Sequence, residues 1–280
     1  MTGTPPPLDR LRTRVARLGA PLCLGIDPHP DALPEGFSRD IRGIERFARG
    51  LLEAASPSAA AVKINVAFFE AFGSAGWAAL ERVRDDVPAD QFLVLDAKRG
   101  DIGPTAERYA EALLGHLRAD AVTLSSYLGE DAVEPFLAFP GRVVYLLVRT
   151  TNPSGGQFQD LLVDGSPLHE HVAHWAAERW TDGRVGLVVG ANRPAELGRL
   201  RGLVPGPAFL VPGAGAQGGD LRAAVLACHG TLAPGIVNVS RGIAGAAGGG
   251  DWQAAASLAG GEWLTRMREA GATLSTERIG

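Results

Sequence analysis

Eight short runs rich in Val, Ile and Leu recur along the chain, at 21–28, 60–66, 91–98, 120–126, 142–150, 184–191, 207–215 and 234–242. Between them lie stretches with apolar residues at helical spacing, such as IRGIERFARGLLEAA (41–55), AFFEAFGSAGWAALERVRDDV (67–87), TAERYAEALLGHL (105–117) and HEHVAHWAAERW (169–180). Strand and helix therefore alternate from end to end. Strands that are apolar throughout, rather than at every second position, belong in a parallel sheet covered on both faces. Eight such units in about 250 residues predict an α/β protein built as a closed (β/α)8 TIM barrel rather than an open doubly wound sheet. No linker or break in composition divides the 280 residues, so the expectation is a single barrel domain over 1–280 with a short helical extension at its N-terminus. The Gly-rich stretch at 242–251 reads as a loop before the last helix.

The polar residues collect at one end of these strands. Asp27 closes the first run, Lys63 and Asn65 the second, Asp96 and Lys98 the third, Ser125 and Ser126 the fourth, Arg149 to Asn152 the fifth, Asn192 the sixth and Arg241 the eighth. In a barrel of this kind the C-terminal strand ends carry the chemistry and the N-terminal ends carry stability. Side chains alternate along a strand, so Asp96 and Lys98 share a side with Val94, and Leu93, Leu95 and Ala97 share the other. With Val94 inside the barrel, both charges project into its mouth, and Arg99 points away.

Composition sharpens this picture. Of 27 basic residues only Lys63 and Lys98 are lysines. Arginine serves wherever a generic cation is wanted, so the two lysines mark places that need a compact ammonium able to give up a proton. A net charge of -4 argues against a nucleic-acid binder, and Arg10, Arg12, Arg14 and Arg17 are expected on the wet side of the first helix. No apolar run reaches the roughly 18 residues of a membrane helix, and the first residues lack the apolar core of a signal peptide, so a cytoplasmic protein without membrane contact is expected. Cys23 and Cys228 have no metal-ligand or redox spacing and read as small core residues.

GAGAQG (213–218) matches the dinucleotide fingerprint G-x-G-x-x-G, but it sits late in the chain, and no Asp or Glu lies between Asp220 and Asp251 to take a ribose. The same loop suits a barrel, where phosphate sites are built after the seventh and eighth strands. Its glycines let backbone N–H groups approach an anion, Gln217 adds an amide donor, and Arg241 adds a bidentate cation. A phosphomonoester substrate is expected.

With LCLGIDPHP, VKINVAFFEAFG, DAKRGDIGPTAERYA, AVTLSSYLGEDAVEPF, RTTNPSG and VPGAGAQGGD in view, the chain resembles the orotidine 5'-phosphate decarboxylase family, in its longer bacterial, type 2 form. DAKRGDIG together with GAGAQGGD is the specific part; Asp-x-Lys-x-x-Asp by itself is shared with related sugar-phosphate enzymes. The resemblance implies decarboxylation of orotidine 5'-phosphate to UMP without a cofactor or metal. It makes Lys98 the acid that protonates C6, Asp96 and Asp101 its flanking carboxylates, and Lys63 the completion of an alternating charge network. It further assigns Asp27 to the ribose hydroxyls, Gln217 and Arg241 to the phosphate, and Thr151 to the pyrimidine edge, with Thr150 and Asn152 left open as alternatives. Asn65 departs from the usual flank of the second-strand lysine. Asp101 and Thr105 are implied to reach into a neighbouring subunit's site, hence a homodimer.

The residues alone disfavour one competitor. A Schiff-base lysine must be neutral to attack, whereas Lys98 has carboxylates close by in sequence, which favour an ammonium. Two other readings remain open from sequence: a metal-dependent relative acting on a sugar phosphate, and a non-catalytic sensor of a phosphorylated ligand.

Overall fold

A computed structural model describes residues 5–215, 219–247 and 250–277, with side chains to residue 272. Eight parallel strands form the barrel: β1 (Leu22–Ile26), β2 (Ala61–Asn65), β3 (Phe92–Arg99), β4 (Ala121–Leu124), β5 (Val143–Arg149), β6 (Val185–Val189), β7 (Phe209–Pro212) and β8 (Ile236–Val239). Each pairs with its neighbours in chain order, and β1 closes on β8. The expected (β/α)8 barrel is the observed one.

Alternation along the strands splits the core into two shells. Cys23, Phe92, Val94, Tyr145, Leu210 and Ile236 point inward and pack on one another. Leu22, Leu24, Val62, Leu93, Leu95 and Val237 point outward to the helices. Val94 is therefore interior, as the pattern of charges required. The helix of Ile41–Ala55 matches its predicted span residue for residue, begun by Asp40, whose carboxylate accepts from Arg42 N and Gly43 N. The predicted helix over 67–87 is instead broken into Ala67–Glu70 and Gly73–Asp85, because Gly73 takes φ +60° at the join.

Two features depart further from the sequence reading. The first helix, α1 (Pro7–Leu18), does not lie with its arginines in solvent. Leu8 and Leu11 insert into the inner core, so α1 plugs the N-terminal end of the barrel. Arg14, one turn on along the same face, is buried and donates to Ala59 O at 2.8 Å and to Asp90 Oδ2 at 2.5 Å. Arg10 donates to Ala89 O, Gln91 O and the buried Asp120. These arginines satisfy carbonyls left at the strand starts, which is why they are drawn in; only Arg12 and Arg17 keep substantial exposure. The second departure is a hairpin, Leu162–Val163 against Ser166–Pro167, turning on Asp164 and Gly165 with φ +49° and +83°. An Asp-Gly pair is the residue choice a tight primed turn demands.

Candidate active site

β3 is the longest strand of the barrel and its last turn is irregular. Leu95 pairs with Val122 and Arg99 with Leu124, so Asp96, Ala97 and Lys98 face the single residue Thr123. Lys98 sits at φ +45°, in the left-handed region that L residues rarely occupy. Simple alternation, which placed Lys98 on the inner side two residues after Asp96, thus breaks down at this bulge. The ammonium nevertheless reaches the mouth: Lys98 Nζ donates to Asp96 Oδ1 at 2.6 Å.

Behind it the charges alternate across three strand ends. Lys63 Nζ donates to Asp96 Oδ2 at 2.8 Å and to Asp27 Oδ1 at 3.3 Å. The row reads Asp27, Lys63, Asp96, Lys98, buried in its middle and most open at Lys98. The Lys63 side chain is 5% exposed and that of Lys98 49%. Burial by itself would raise the Asp96 carboxyl, but the ammoniums of Lys63 and Lys98 outweigh it and hold the group well below the usual carboxylate range. Burial would likewise lower Lys63, and Asp27 with Asp96 reverses this, holding Lys63 charged and above its ordinary value. Below them, burial pushes the Cys23 thiol up to about 12, so it is an inert core residue.

Two hollows open from this row, and Lys63, Asp96 and Pro212 line both. The smaller, about 160 Å³, lies toward β8 and is bordered by Asp27, Asn65, Gly213, Asn238 and Arg241. The larger, about 470 Å³, lies toward β5 and mixes Leu147, Val188 and Leu210 with Lys98, Thr150, Thr151 and Asn152. One is polar with a cation at its rim; the other has apolar walls and a few polar groups, the pattern of a site for a flat organic ring. Asp27, Lys63, Asp96, Lys98, Thr151 and Arg241 are thereby brought together. Gln217 lies outside the described residues. Asp101 does not meet Lys98 in its own chain: its Oδ1 accepts from the next N–H, Ile102 N, at 2.9 Å. Thr105 is exposed on the helix of Gly103–Ala110. Arg99 turns outward to Glu70 and lies over the Tyr109 ring.

Residues to which the sequence reading gave no role also shape the site. Arg149 is buried beneath the 150–152 loop, paired to Asp160 at 3.0 Å and Glu196 at 3.1 Å. Gln159 Oε1 accepts from Thr150 N at 3.0 Å, and the Thr150 hydroxyl donates to Asn152 Oδ1 at 2.6 Å. Among the described residues the Thr150 hydroxyl and the Asn152 amide have protein partners, and the Thr151 hydroxyl, which lines the larger hollow, has none. A Cβ on Gly25 would stand 2.8 Å from Asn238 Oδ1, so the smaller hollow needs glycine there. The sequence placed Arg149 at the end of the fifth strand without a role; it carried no sign of Gln159. Among the described residues no three His, Cys, Asp or Glu side chains gather as metal ligands, and no helix is long and apolar enough to cross a membrane.

Comparison with known proteins agrees with this geometry. Residues 20–256 match the model of the family described as "Orotidine 5'-phosphate decarboxylase / HUMPS family". A curated orotidine 5'-phosphate decarboxylase of Roseiflexus castenholzii is 48% identical over 254 residues, covering 90% of this chain and 93% of the relative. Among solved structures, Leishmania donovani OMP decarboxylase superposes with a TM-score of 0.80 at 39% identity, covering 94% of this chain and 99% of that one. Leishmania donovani UMP synthase gives 0.79 at 40% identity, but this chain spans only 56% of that longer protein. The barrel, the charge row at its mouth and a family match over most of the length lead to one assignment: the chain belongs to the orotidine 5'-phosphate decarboxylase / HUMPS family.

Proposed function

We propose that Lys98 delivers the proton in the reaction of this chain, the decarboxylation of orotidine 5'-phosphate to uridine 5'-phosphate that completes de novo pyrimidine biosynthesis. The observation that carries the proposal is the contrast within the charge row. Lys63 is buried between two carboxylates, whereas Lys98 holds Asp96 with one hydrogen bond and faces the larger hollow. When the C6–carboxylate bond breaks, carbon dioxide departs and the electron pair stays on C6. The Lys98 ammonium stabilises that charge and then gives it a proton, forming the C6–H bond; solvent reprotonates the amine. The carboxylate of Asp96 keeps the ammonium in place and, lying next to the substrate carboxylate, disfavours the bound ground state.

The hollows divide the substrate between them. The pyrimidine takes the larger, with Thr151 at its edge; the ribose hydroxyls meet Asp27; the phosphate takes the smaller, against Arg241 and Gln217 and the glycines after β7. Binding energy from the phosphate, remote from C6, is then available to order the site. The chemistry calls for neither metal nor cofactor, and Asp96 accepts from two ammoniums and a hydroxyl, which disfavours a cation ligand there.

The active species in this reading is a cytoplasmic homodimer, with Asp101 and Thr105 completing the partner's site. What supports it is their setting: Asp101 is followed by the exposed Ile102, and a Cβ on the preceding Gly100 would stand 3.8 Å from Leu128, which with its neighbour Tyr127, 85% exposed, is another large side chain left open. An apolar patch of this kind marks a surface that another protein covers.

The test is loss of the orotidylate absorbance in the presence of a chelator, with wild type and Lys98→Ala side by side. Turnover that survives chelation and vanishes in the variant is expected. Dependence on added metal would favour a sugar-phosphate relative, and binding of UMP without turnover a sensor. Mixed Lys98→Ala and Asp101→Ala chains should regain activity through hybrid dimers with one intact site; no recovery would argue for private sites.

A further inference from the structure

The bulge that presents Lys98 needs something to hold it, and Thr123 does so. Its side chain is buried, on β4, opposite three residues of β3. The Lys98 backbone N–H donates to Thr123 Oγ1 at 2.9 Å. A hydroxyl has one hydrogen, and because Lys98 N is a donor, that hydrogen is free to go to Asp96 Oδ1, also at 2.9 Å. One hydroxyl therefore ties the backbone of Lys98 to the carboxylate that its own ammonium grips. The branched β-carbon restricts the side chain's rotation, so the hydroxyl is held ready rather than recruited.

We propose that Thr123 is a positioning residue for the reaction: its hydroxyl fixes the left-handed turn at Lys98 and the orientation of Asp96, so that the ammonium stands over the larger hollow before substrate arrives. The inference rests on the assignment of Lys98 and Asp96 made above. Without the hydroxyl, the Lys98 N–H loses its acceptor and Asp96 loses its third donor. The ammonium then wanders by an ångström or so, a displacement that costs on the order of 100-fold in rate. Thr123 lines the larger hollow but not the smaller one proposed for the phosphate, so binding there is preserved.

Three variants are compared by steady-state turnover of orotidylate. Thr123→Val keeps the shape and removes the hydroxyl; kcat is expected to fall roughly 10- to 100-fold with KM changed less than about threefold. Thr123→Ser restores the hydroxyl and is expected within a few-fold of wild type. Lys98→Ala fixes the reference. If Lys98→Ala stays active, the proton-donor assignment fails and this inference with it. If Lys98→Ala is inactive while Thr123→Val keeps wild-type kcat, or if serine loses as much as valine, Thr123 alone is overturned. Should valine fail to fold, Thr123→Ala takes its place: loss in alanine with rescue in serine supports the inference, and equal activity in the two refutes it.

Discussion

At the floor of the barrel Asp120 is held by Arg10, by Arg142 at 3.1 Å and by the Leu93 N–H at 2.9 Å; at the mouth Asp96 is held by Lys63, Lys98 and the Thr123 hydroxyl. Each is a nearly buried carboxylate with two cations and one neutral donor. The difference lies in what the cations have left over. Arg10, itself on α1, also donates to Ala89 O and Gln91 O, and its side chain is 11% exposed. Arginine also gives up no proton in a protein. Lys98 keeps half its side chain open to a hollow, and its proton is transferable. A buried ion pair thus does not mark a reactive site. In the proposed reading, what distinguishes the mouth is a cation able to give up its proton to a ligand in the hollow beside it.

The comparison breaks first if the mouth turns out to be structural. Lys98→Ala is expected to lower kcat for orotidylate by at least roughly a thousandfold, the combined reach of proton donation and charge stabilisation. Because the side chain is half exposed, the urea midpoint should hardly move. Large unfolding with little loss of turnover per folded molecule would make the two ends alike. The floor predicts the reverse: Asp120→Ala leaves the nearly buried Arg10 without its carboxylate and should cost about 3–5 kcal/mol of stability, read by urea denaturation, with kcat per folded enzyme unchanged.

Between these extremes lies the smaller hollow. A Cβ added at Gly25 would meet Asn238 Oδ1 and Ser240 Cβ, both at 2.8 Å. Gly25→Ala should cost about 1–3 kcal/mol by overpacking. It should also raise KM more than it lowers kcat, because Asn238 and Ser240 border the hollow proposed above for the phosphate. A variant that loses kcat alone would mean that the two hollows are not independent.

How far such things could be read beforehand follows from which interactions leave a trace in pattern. The eight strands, the inward face of Val94 and the collection of charge at the strand ends were all legible, since burial on both faces and period-two alternation write themselves into residue type. The bulge was not. DAKRG contains no glycine or proline within 96–99 to announce a left-handed residue, and the acceptor that permits it, Thr123, lies 25 positions away. Arg14 was misread because a charge is scored as wet, although its spacing from Leu8 and Leu11 puts it on the apolar face of α1. Gln159 and Arg149 act on the 150–152 loop through side-chain bonds that no periodicity encodes. The Asp164–Gly165 hairpin, in contrast, carried its own turn signal.

The subtlest separation of the two ends is their response to acid, where the signs oppose. Asp96 titrates below an ordinary carboxylate. Its ionisation therefore contributes stability that is fully present above about pH 4 and drains away as pH falls below that. At Asp120 burial outweighs its donors and the group titrates above the ordinary value. The folded state then takes up a proton more readily than the unfolded chain, so stability declines as pH rises from about 4 through its raised value. Urea unfolding of wild type, Asp96→Asn and Asp120→Asn between about pH 3 and 6 reads both. Wild-type stability relative to Asp96→Asn should shrink as pH drops below about 4, and relative to Asp120→Asn it should grow on the same descent. Equal slopes would mean that the cations at the two ends tune their carboxylates alike. The reactive end would then be set by exposure alone, without the electrostatic bias that keeps Asp96 ionised beside Lys98.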